Sequence, residues 1–196
     1  DITRTVALGE VGNIEKEHFT LVARAMLRLA NTVFLYGCSG ANLDCIAREV
    51  FWKEGLNFNH GTGHGVGYLL NIHEGPINFR WKEGERPAPA LEENMVITDE
   101  PGIYIEGSHG IRLENELLVR KTVKNEYGQF MNFEILTYVP IDLDAILPEK
   151  MSTEEKEMLN HYHKQVYEKV SPYLSEEERI WLKEYTRAVK LSLIHI

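Results

Sequence analysis

Residues 60–75 read His-Gly-Thr-Gly-His-Gly-Val-Gly-Tyr-Leu-Leu-Asn-Ile-His-Glu-Gly, and this stretch decides what the chain folds around. It holds three histidines, His60, His64 and His73, among glycines. Glycine has no side chain to cover a neighbouring histidine, and it leaves the backbone free to take unusual conformations. One histidine alone is most simply a surface or core residue. Three together on such a backbone indicate metal binding or proton transfer.

Carboxylates that could join these histidines lie on separate segments. Glu100 stands in Thr-Asp-Glu-Pro-Gly, Glu114 in Gly-Ile-Arg-Leu-Glu-Asn-Glu, and Asp1 at the first position. Strand alternation puts Arg112, Glu114 and Glu116 on one face, which could simply be solvated. Arg112 could instead hold Glu114, or a neighbouring ligand, by a charge-assisted hydrogen bond. Histidine with several carboxylates predicts a site for hard or borderline divalent cations.

Other classes of function fit the sequence less well. A glycine-rich segment can bind phosphate, but no Lys-Ser or Lys-Thr follows, and the spacing does not fit a dinucleotide loop. The net charge of −9, without a basic stripe, argues against a nucleic-acid partner. The best membrane-spanning candidate, residues 19–36, is interrupted by Arg24 and Arg28. Cys38 and Cys45 are not spaced as a zinc or redox pair, so a reducing, cytoplasmic setting fits.

The order Asp, His, Glu, Glu, with His-Gly-Thr-Gly-His-Gly-Val-Gly and Thr-Asp-Glu-Pro-Gly, resembles the pita-bread metallopeptidases. Within them it most resembles the long, multidomain Xaa-Pro aminopeptidases (aminopeptidase P). His64 and His73 are nine positions apart, whereas methionine aminopeptidases and prolidases bring these histidines closer together. The resemblance runs from residue 1 to about 189 and is specific over residues 60–75 and 97–116.

This resemblance implies an α+β class and a truncated pita-bread (creatinase/aminopeptidase) fold, with a curved antiparallel sheet, outer helices and a C-terminal helical extension. Residues 1–140 would form the C-terminal part of the catalytic domain and residues 141–190 the extension. We expect a C-terminal fragment of a longer protein, because the family's first ligand aspartate and a further active-site histidine belong upstream. Residues 191–196 match a translated transposon-end sequence and are predicted to be a sequencing artefact; the alternative is an ordinary apolar tail.

The same resemblance implies a site with two divalent metal ions, with manganese as the expected metal; the ligand types alone also suit zinc or cobalt. The implied ligands are Asp1, His64, Glu100 and Glu114. The implied catalytic residues are His60, His73, Glu100 and Arg112. The two histidines would hydrogen-bond the substrate or the tetrahedral intermediate, and Glu100 would also take the proton of the attacking water. Two metal ions about 3.5–4 Å apart acidify a bridging water and polarise a carbonyl group.

The implied activity is removal of the N-terminal residue from peptides with proline in second position. A prolidase acting on dipeptides, and a non-catalytic binding module of the same fold, are the alternatives. Every ligand position within the chain is filled, which argues against the module. The whole protein is expected to be a cytoplasmic homodimer that binds neither membrane nor nucleic acid. The fragment alone is expected to be inactive, because a bridging carboxylate and neighbouring strands are missing.

Periodicity and turn residues predict the elements around the site. Helices are expected from an Asn13 cap to Gly37, from an Asn42 cap to Gly55, after a Ser152 capping box, and after Ser175. Strands are expected at residues 1–5, 94–98, 111–119 and 129–138, with a loop at 74–93. His161 and His163 should point to different faces of their helix, which makes them poor joint ligands.

Overall fold

The computed structural model describes residues 1–69, 71–82 and 87–191. Its helices are α1 (Asn13–Ala30), α2 (Gly40–Trp52), α3 (Thr153–Val170) and α4 (Glu176–Tyr185). Its strands are β1 (Phe34–Leu35), β2 (Gly63–His64), β3 (Asn78–Phe79), β4 (Val96–Asp99), β5 (Gly102–Ile105), β6 (His109–Arg112), β7 (Asn115–Asn125) and β8 (Gly128–Ile135). The mixture of helices and antiparallel strands agrees with the predicted α+β class.

The strands form one four-stranded antiparallel sheet in the order β1-β8-β7-β4, together with two hairpin-like pairs, β2-β3 and β5-β6. Single bridges extend this pairing: Gly65 pairs with Ile97 of β4, and Thr3 pairs with Glu114 just before β7. Because the bridges lie where short strands end, they bring four separate segments of the chain together beside the sheet.

The hydrophobic core lies between this sheet and α1. Helix α1 buries most of one face, including Val22, Met26 and Leu29, and it contacts α2, α3 and the β5-β6 pair. Opposite it, Ile97, Leu117 and Val119 are fully buried on β4 and β7. No helix among the described residues has the length and apolar composition that crossing a membrane requires.

In the first third of the chain, the end of α1 and the start of α2 differ from the prediction. Helix α1 ends at Ala30 and not at Gly37, because Phe34 leaves the helix to pair with Met131 of β8. Val33, which continues the apolar spacing of α1 in the sequence, is 62% exposed. Helix α2 starts at Gly40 after an N-cap at Ser39. Asn42 is the third helical residue, and its side chain accepts a hydrogen bond of 2.8 Å from the Ser39 backbone nitrogen.

The predicted strands are shorter or divided. Residues 1–5 contribute only the bridge at Thr3, and the strand expected at 111–119 is divided between β6 and β7, which belong to different sheets. The loop expected at 74–93 contains β3, which pairs with the histidine-bearing β2. Residues 83–86 of that loop lie outside the described part of the chain. The remaining two strands, 94–98 and 129–138, are observed with shifted ends as β4 and β8.

The C-terminal helices follow the sequence prediction closely. Ser152 with Glu155 caps α3, and Ser175 with Glu178 caps α4. Both are capping boxes, in which backbone groups of the first turn are satisfied by nearby side chains. His161 is exposed and His163 is buried, so the two histidines do point to different faces of α3. Residues 192–196 lie outside the described residues, so their interpretation as an artefact stays a prediction.

The N-terminal segment and α3 are joined by a polar cluster around Arg4. Its guanidinium donates to the Tyr162 hydroxyl at 2.7 Å and to the Glu114 carbonyl oxygen at 2.7 Å. The Tyr162 hydroxyl in turn donates to the Val139 carbonyl oxygen at 2.7 Å. Because Tyr162 lies on α3, these bonds let α3 support the segment that carries Asp1.

The buried imidazole of His163 predicts a pH-dependent stability. Its Nε2 accepts a hydrogen bond from the Ile141 backbone nitrogen at 3.0 Å, and burial lowers its pKa from 6.5 to about 4. Between these pH values the unfolded chain binds a proton that the folded chain excludes. Stability present above pH 6.5 is therefore lost as the pH falls towards 4, by about 3 kcal/mol. Urea denaturation at several pH values measures this loss.

The exposed neighbour His161 provides the matched control. A His161→Gln variant should keep the same pH dependence, whereas His163→Gln should flatten it, because glutamine keeps an acceptor but does not titrate. Equal slopes for the two variants between pH 4 and 6.5 would contradict the role given to His163.

Candidate metal centre

His64 is fixed in a conformation that leaves one ring nitrogen available. Its backbone nitrogen donates to the Thr98 hydroxyl at 3.0 Å, and its Nδ1 lies 3.0 Å from the Gly65 carbonyl oxygen. A carbonyl oxygen only accepts hydrogen bonds, so Nδ1 carries the ring proton and Nε2 presents a lone pair. That Nε2 atom is buried and has no hydrogen-bond partner among the described residues.

Carboxylates from three other segments surround this nitrogen. The distance from His64 Nε2 is 3.4 Å to Glu100 Oε1 and 3.7 Å to Asp1 Oδ2. Candidate ligand atoms of His64, Glu100 and Glu114 all lie within 4.8 Å of one another, and the same holds for Asp1, His64 and His73. The structure therefore brings the four ligands expected from the sequence into one cluster.

Glu114 is the most buried member of the cluster, with 1% of its surface exposed. Its Oε2 accepts a hydrogen bond of 2.5 Å from the Thr3 hydroxyl, and its Oε1 is buried without a partner among the described residues. Burial raises the pKa of Glu114 above its ordinary value, against the opposing effect of the Thr3 hydrogen bond. A buried acceptor oxygen without a donor is costly unless a cation binds it.

These atoms fit a divalent metal ion. His64 Nε2 and Glu114 Oε1 are unpartnered and converge with Glu100 on the same small volume. One imidazole with several carboxylates is a donor set that suits Mn²⁺, Zn²⁺ or Co²⁺. The proton on His64 Nδ1 is held by a backbone carbonyl, as is usual for metal-binding histidines.

The two other histidines of the glycine-rich stretch have different surroundings. The ring of His73 is exposed and its centroid is 4.2 Å from that of His64. His60 has its Nδ1 2.7 Å from the Gly61 carbonyl oxygen, which leaves its buried Nε2 unprotonated and without a partner among the described residues. Burial lowers the pKa of His60, so the neutral form is favoured.

Arg112 interacts with Glu100 and not with Glu114. Its Nη1 lies 3.2 Å from Glu100 Oε2. No hydrogen bond to Glu114 is found in the described part of the chain, so the structure selects the second possibility, a neighbouring ligand. Arg112 thereby holds one oxygen of Glu100 while Glu100 Oε1 faces His64.

Sequence reasoning missed three residues of this region. Thr98 bonds the His64 backbone, and the ring of Tyr104 packs edge-on against His60 with centroids 5.3 Å apart. Asp99 is fully buried and both its oxygens lack partners among the residues described; burial, then the charges of Glu100 and Glu114, raises its pKa well above the ordinary value. Alternation from Glu100 would have indicated Thr98, whereas nothing local indicated Tyr104.

The glycine of β2, Gly63, is explained by close backbone approach. A Cβ at Gly63 would stand 1.8 Å from the Thr98 carbonyl oxygen, which is part of the backbone and cannot move alone. We expect Gly63→Ala to destabilise the fold by about 1–3 kcal/mol, as overpacking of interiors does. A Cβ at Gly75 has no heavy atom within 4 Å, so Gly75→Ala is the control for urea denaturation. Equal midpoints for the two variants would contradict this explanation.

Comparison with known proteins places this site in a family. Residues 1–121 match metallopeptidase family M24, and residues 129–189 match the C-terminal region described for that peptidase family. The chain belongs to metallopeptidase family M24. The M24 match covers every residue of the cluster, from Asp1 to Glu114.

Curated relatives of this M24 chain include the Paracoccidioides brasiliensis (strain Pb03) protein named "Probable Xaa-Pro aminopeptidase P". It is 40% identical over 194 residues, which cover 96% of this chain and 31% of the relative. The chain therefore spans about a third of the length of the curated relatives it matches.

Solved structures agree with this assignment. X-prolyl aminopeptidase from Caenorhabditis elegans, described as a cytosolic enzyme with a di-nuclear active site, superposes with a TM-score of 0.89. It is 36% identical, and the match covers 96% of this chain and 31% of that one. Xaa-Pro dipeptidase from Bacillus anthracis is also 36% identical, with a TM-score of 0.56. That match covers 72% of this M24 chain and 36% of the dipeptidase chain. These matches confirm the predicted pita-bread fold.

Proposed function

We propose that the full-length protein is a dinuclear metal-dependent aminopeptidase that removes the N-terminal residue from peptides with proline in second position. The observation that carries the proposal is the cluster of His64, Glu100 and Glu114 donor atoms within 4.8 Å, in a chain of the M24 family. Because the chain spans 31% of its relatives' length, this activity is proposed for the whole protein.

In this proposal Asp1, His64, Glu100 and Glu114 bind two divalent ions, with Mn²⁺ as the expected metal. When bound, the ions supply an activated water and polarise the substrate carbonyl. Glu100 would accept the proton of the attacking water, with its carboxylate oriented by Arg112 at 3.2 Å. Unprotonated Nε2 of His60 can accept a hydrogen bond from a substrate N–H group, and exposed His73 can contact substrate on the side of Asp1.

We propose that residues 1–140 form the C-terminal part of the catalytic domain. Residues 141–190 form a helical extension in this proposal. A cytoplasmic homodimer is proposed for the full-length protein. The C. elegans enzyme, which is described as cytosolic, supports the location. Stacked Trp181 and Tyr185 on α4, with ring centroids 4.4 Å apart, provide a surface for the dimer contact, since Trp181 is 53% exposed.

A prolidase is the second candidate, because Xaa-Pro dipeptidases share the fold. The greater coverage and TM-score of the C. elegans aminopeptidase favour the first candidate. The test is an assay of the full-length Mn²⁺-loaded protein with Xaa-Pro dipeptides and with longer Xaa-Pro peptides. Cleavage of longer peptides supports the proposal, and cleavage of dipeptides alone would establish a prolidase.

The same preparation tests a non-catalytic alternative. Isothermal titration with Mn²⁺ should find two ions for each chain, and chelation should abolish peptide cleavage. A folded protein that binds no metal would be a binding module and would overturn the proposal. Residues 1–190 alone are predicted to have little turnover; robust cleavage by them would contradict that expectation.

A further inference from the structure

A buried ion pair on α2 is hydrogen-bonded to the segment that carries His60. Arg48 and Asp44 are one helical turn apart, with 1% and 0% of their surfaces exposed, and Arg48 Nε donates to Asp44 Oδ2 at 2.5 Å. Burying two charges costs several kcal/mol for each ion, which is offset only when further hydrogen bonds satisfy the remaining groups. The partners of these remaining groups indicate what the pair does.

The guanidinium of Arg48 binds the chain just before the glycine-rich stretch. Its Nη1 donates to the Phe58 carbonyl oxygen at 2.8 Å, and its Nη2 donates to the His60 carbonyl oxygen at 2.6 Å. Its carbon Cζ lies 4.0 Å above the centre of the Phe58 ring. A planar fork of donors fixes direction as well as distance, which a lysine ammonium cannot do. Arg48 therefore fixes the backbone of His60.

The carboxylate of Asp44 binds the other side of the same segment. Its Oδ1 accepts a hydrogen bond of 2.5 Å from the Thr62 hydroxyl. The carbonyl oxygen of Thr62 then accepts a hydrogen bond of 2.7 Å from the backbone nitrogen of Glu100. Two hydrogen bonds thus connect the ion pair on α2 with the backbone of Glu100, whose side chain belongs to the candidate metal centre.

The orientation of His60 depends on this backbone. Its Nδ1 is hydrogen-bonded to the Gly61 carbonyl oxygen. Rotation of that peptide group would break this hydrogen bond, and the ring would no longer be held with Nε2 in one direction. Residues 60 and 62 are bonded to Arg48 and Asp44, one on each side of that peptide.

We propose that Asp44 and Arg48 are positioning residues of the candidate active site, holding residues 57–62 so that His60 and Glu100 keep their places. The inference rests on the proposed function, because it concerns that same site. The hydrogen bonds of the pair described above go to Phe58, His60 and Thr62, and not to the candidate metal ligands. Misplacing a reacting group by about 1 Å can cost on the order of 10²-fold in rate without weakening substrate binding equally.

Two variants of the full-length, Mn²⁺-loaded protein test this. Arg48→Lys keeps the charge but loses the fork, and should lower kcat on the order of 10²-fold with KM within about twofold. Thr62→Val removes only the hydroxyl bonded to Asp44 and should lower kcat about tenfold. Thr62→Ser restores that hydroxyl and should restore kcat, which a purely steric role of Thr62 would not predict.

Arg24→Lys is the matched control, because Arg24 pairs with Glu155 at 2.9 Å between α1 and α3, away from the site. Its kcat should equal that of the unmodified protein. Unchanged kcat in both Arg48→Lys and Thr62→Val, or loss of activity through KM alone, would overturn the inference.

Hydrogen–deuterium exchange makes the test independent of turnover. Peptides covering 57–64 and 97–101 should exchange at least about tenfold faster in Arg48→Lys, whereas peptides of α1 and α3 should not change. Absence of peptidase activity in the unmodified protein would refute the proposed function but not the positioning role. Unchanged exchange at 57–64 in Arg48→Lys would refute the positioning role alone.

Discussion

Replacing Glu114 by glutamine in the full-length protein is expected to lower kcat/KM by about 10³-fold or more, as loss of several kcal/mol of metal-assisted stabilisation requires. Glu114 Oε1 is buried, unpartnered among the described residues, and within 4.8 Å of donor atoms of His64 and Glu100. Glutamine has the same shape but carries no charge and offers one oxygen instead of two. Metal content by mass spectrometry should fall together with activity.

Folding should survive this substitution. Burial already disfavours the charged form of Glu114, so a neutral side chain does not add a desolvation cost in the metal-free protein. Glu134→Gln on β8 is the control, because Glu134 is exposed and its carboxylate pairs with Arg120, at 3.4 Å. A Glu114→Gln protein with full activity and two bound ions would exclude Glu114 as a ligand.

The second large effect is expected on stability. Arg48→Met should lower the free energy of unfolding by about 3–5 kcal/mol, because it leaves the charge of Asp44 buried without its partner. It also removes the donors that satisfy the carbonyl oxygens of Phe58 and His60. Arg28→Met provides the contrast, since Arg28 and Glu49 form a partly exposed pair at 3.1 Å and should contribute at most about 1 kcal/mol.

A double variant separates the buried charge from the lost backbone bonds. Asp44→Leu combined with Arg48→Met removes both charges and should recover about half of the loss, since only the unpaired-charge cost disappears. Urea denaturation of the single and double variants measures the coupling. Additive losses would mean that Asp44 and Arg48 stabilise the fold independently of each other.

Local sequence patterns were sufficient for features that depend on neighbours in the chain. The capping boxes at Ser152 and Ser175 satisfy backbone groups within one turn, so α3 and α4 could be predicted closely. The motif around His64 likewise indicated the correct family. The end of α1 could not be predicted in the same way, because Val33 continues an apolar periodicity that pairing of Phe34 with β8 interrupts.

The sequence by itself determined which residue types could bind a metal ion, since imidazole and carboxylate chemistry is a property of each side chain. Only the tertiary structure decided which of them meet, that Arg112 holds Glu100, and that Arg48 of α2 binds the backbone of His60. The physical reason is that these contacts join residues brought together by sheet pairing and core packing. Such long-range contacts leave no periodic pattern along the chain.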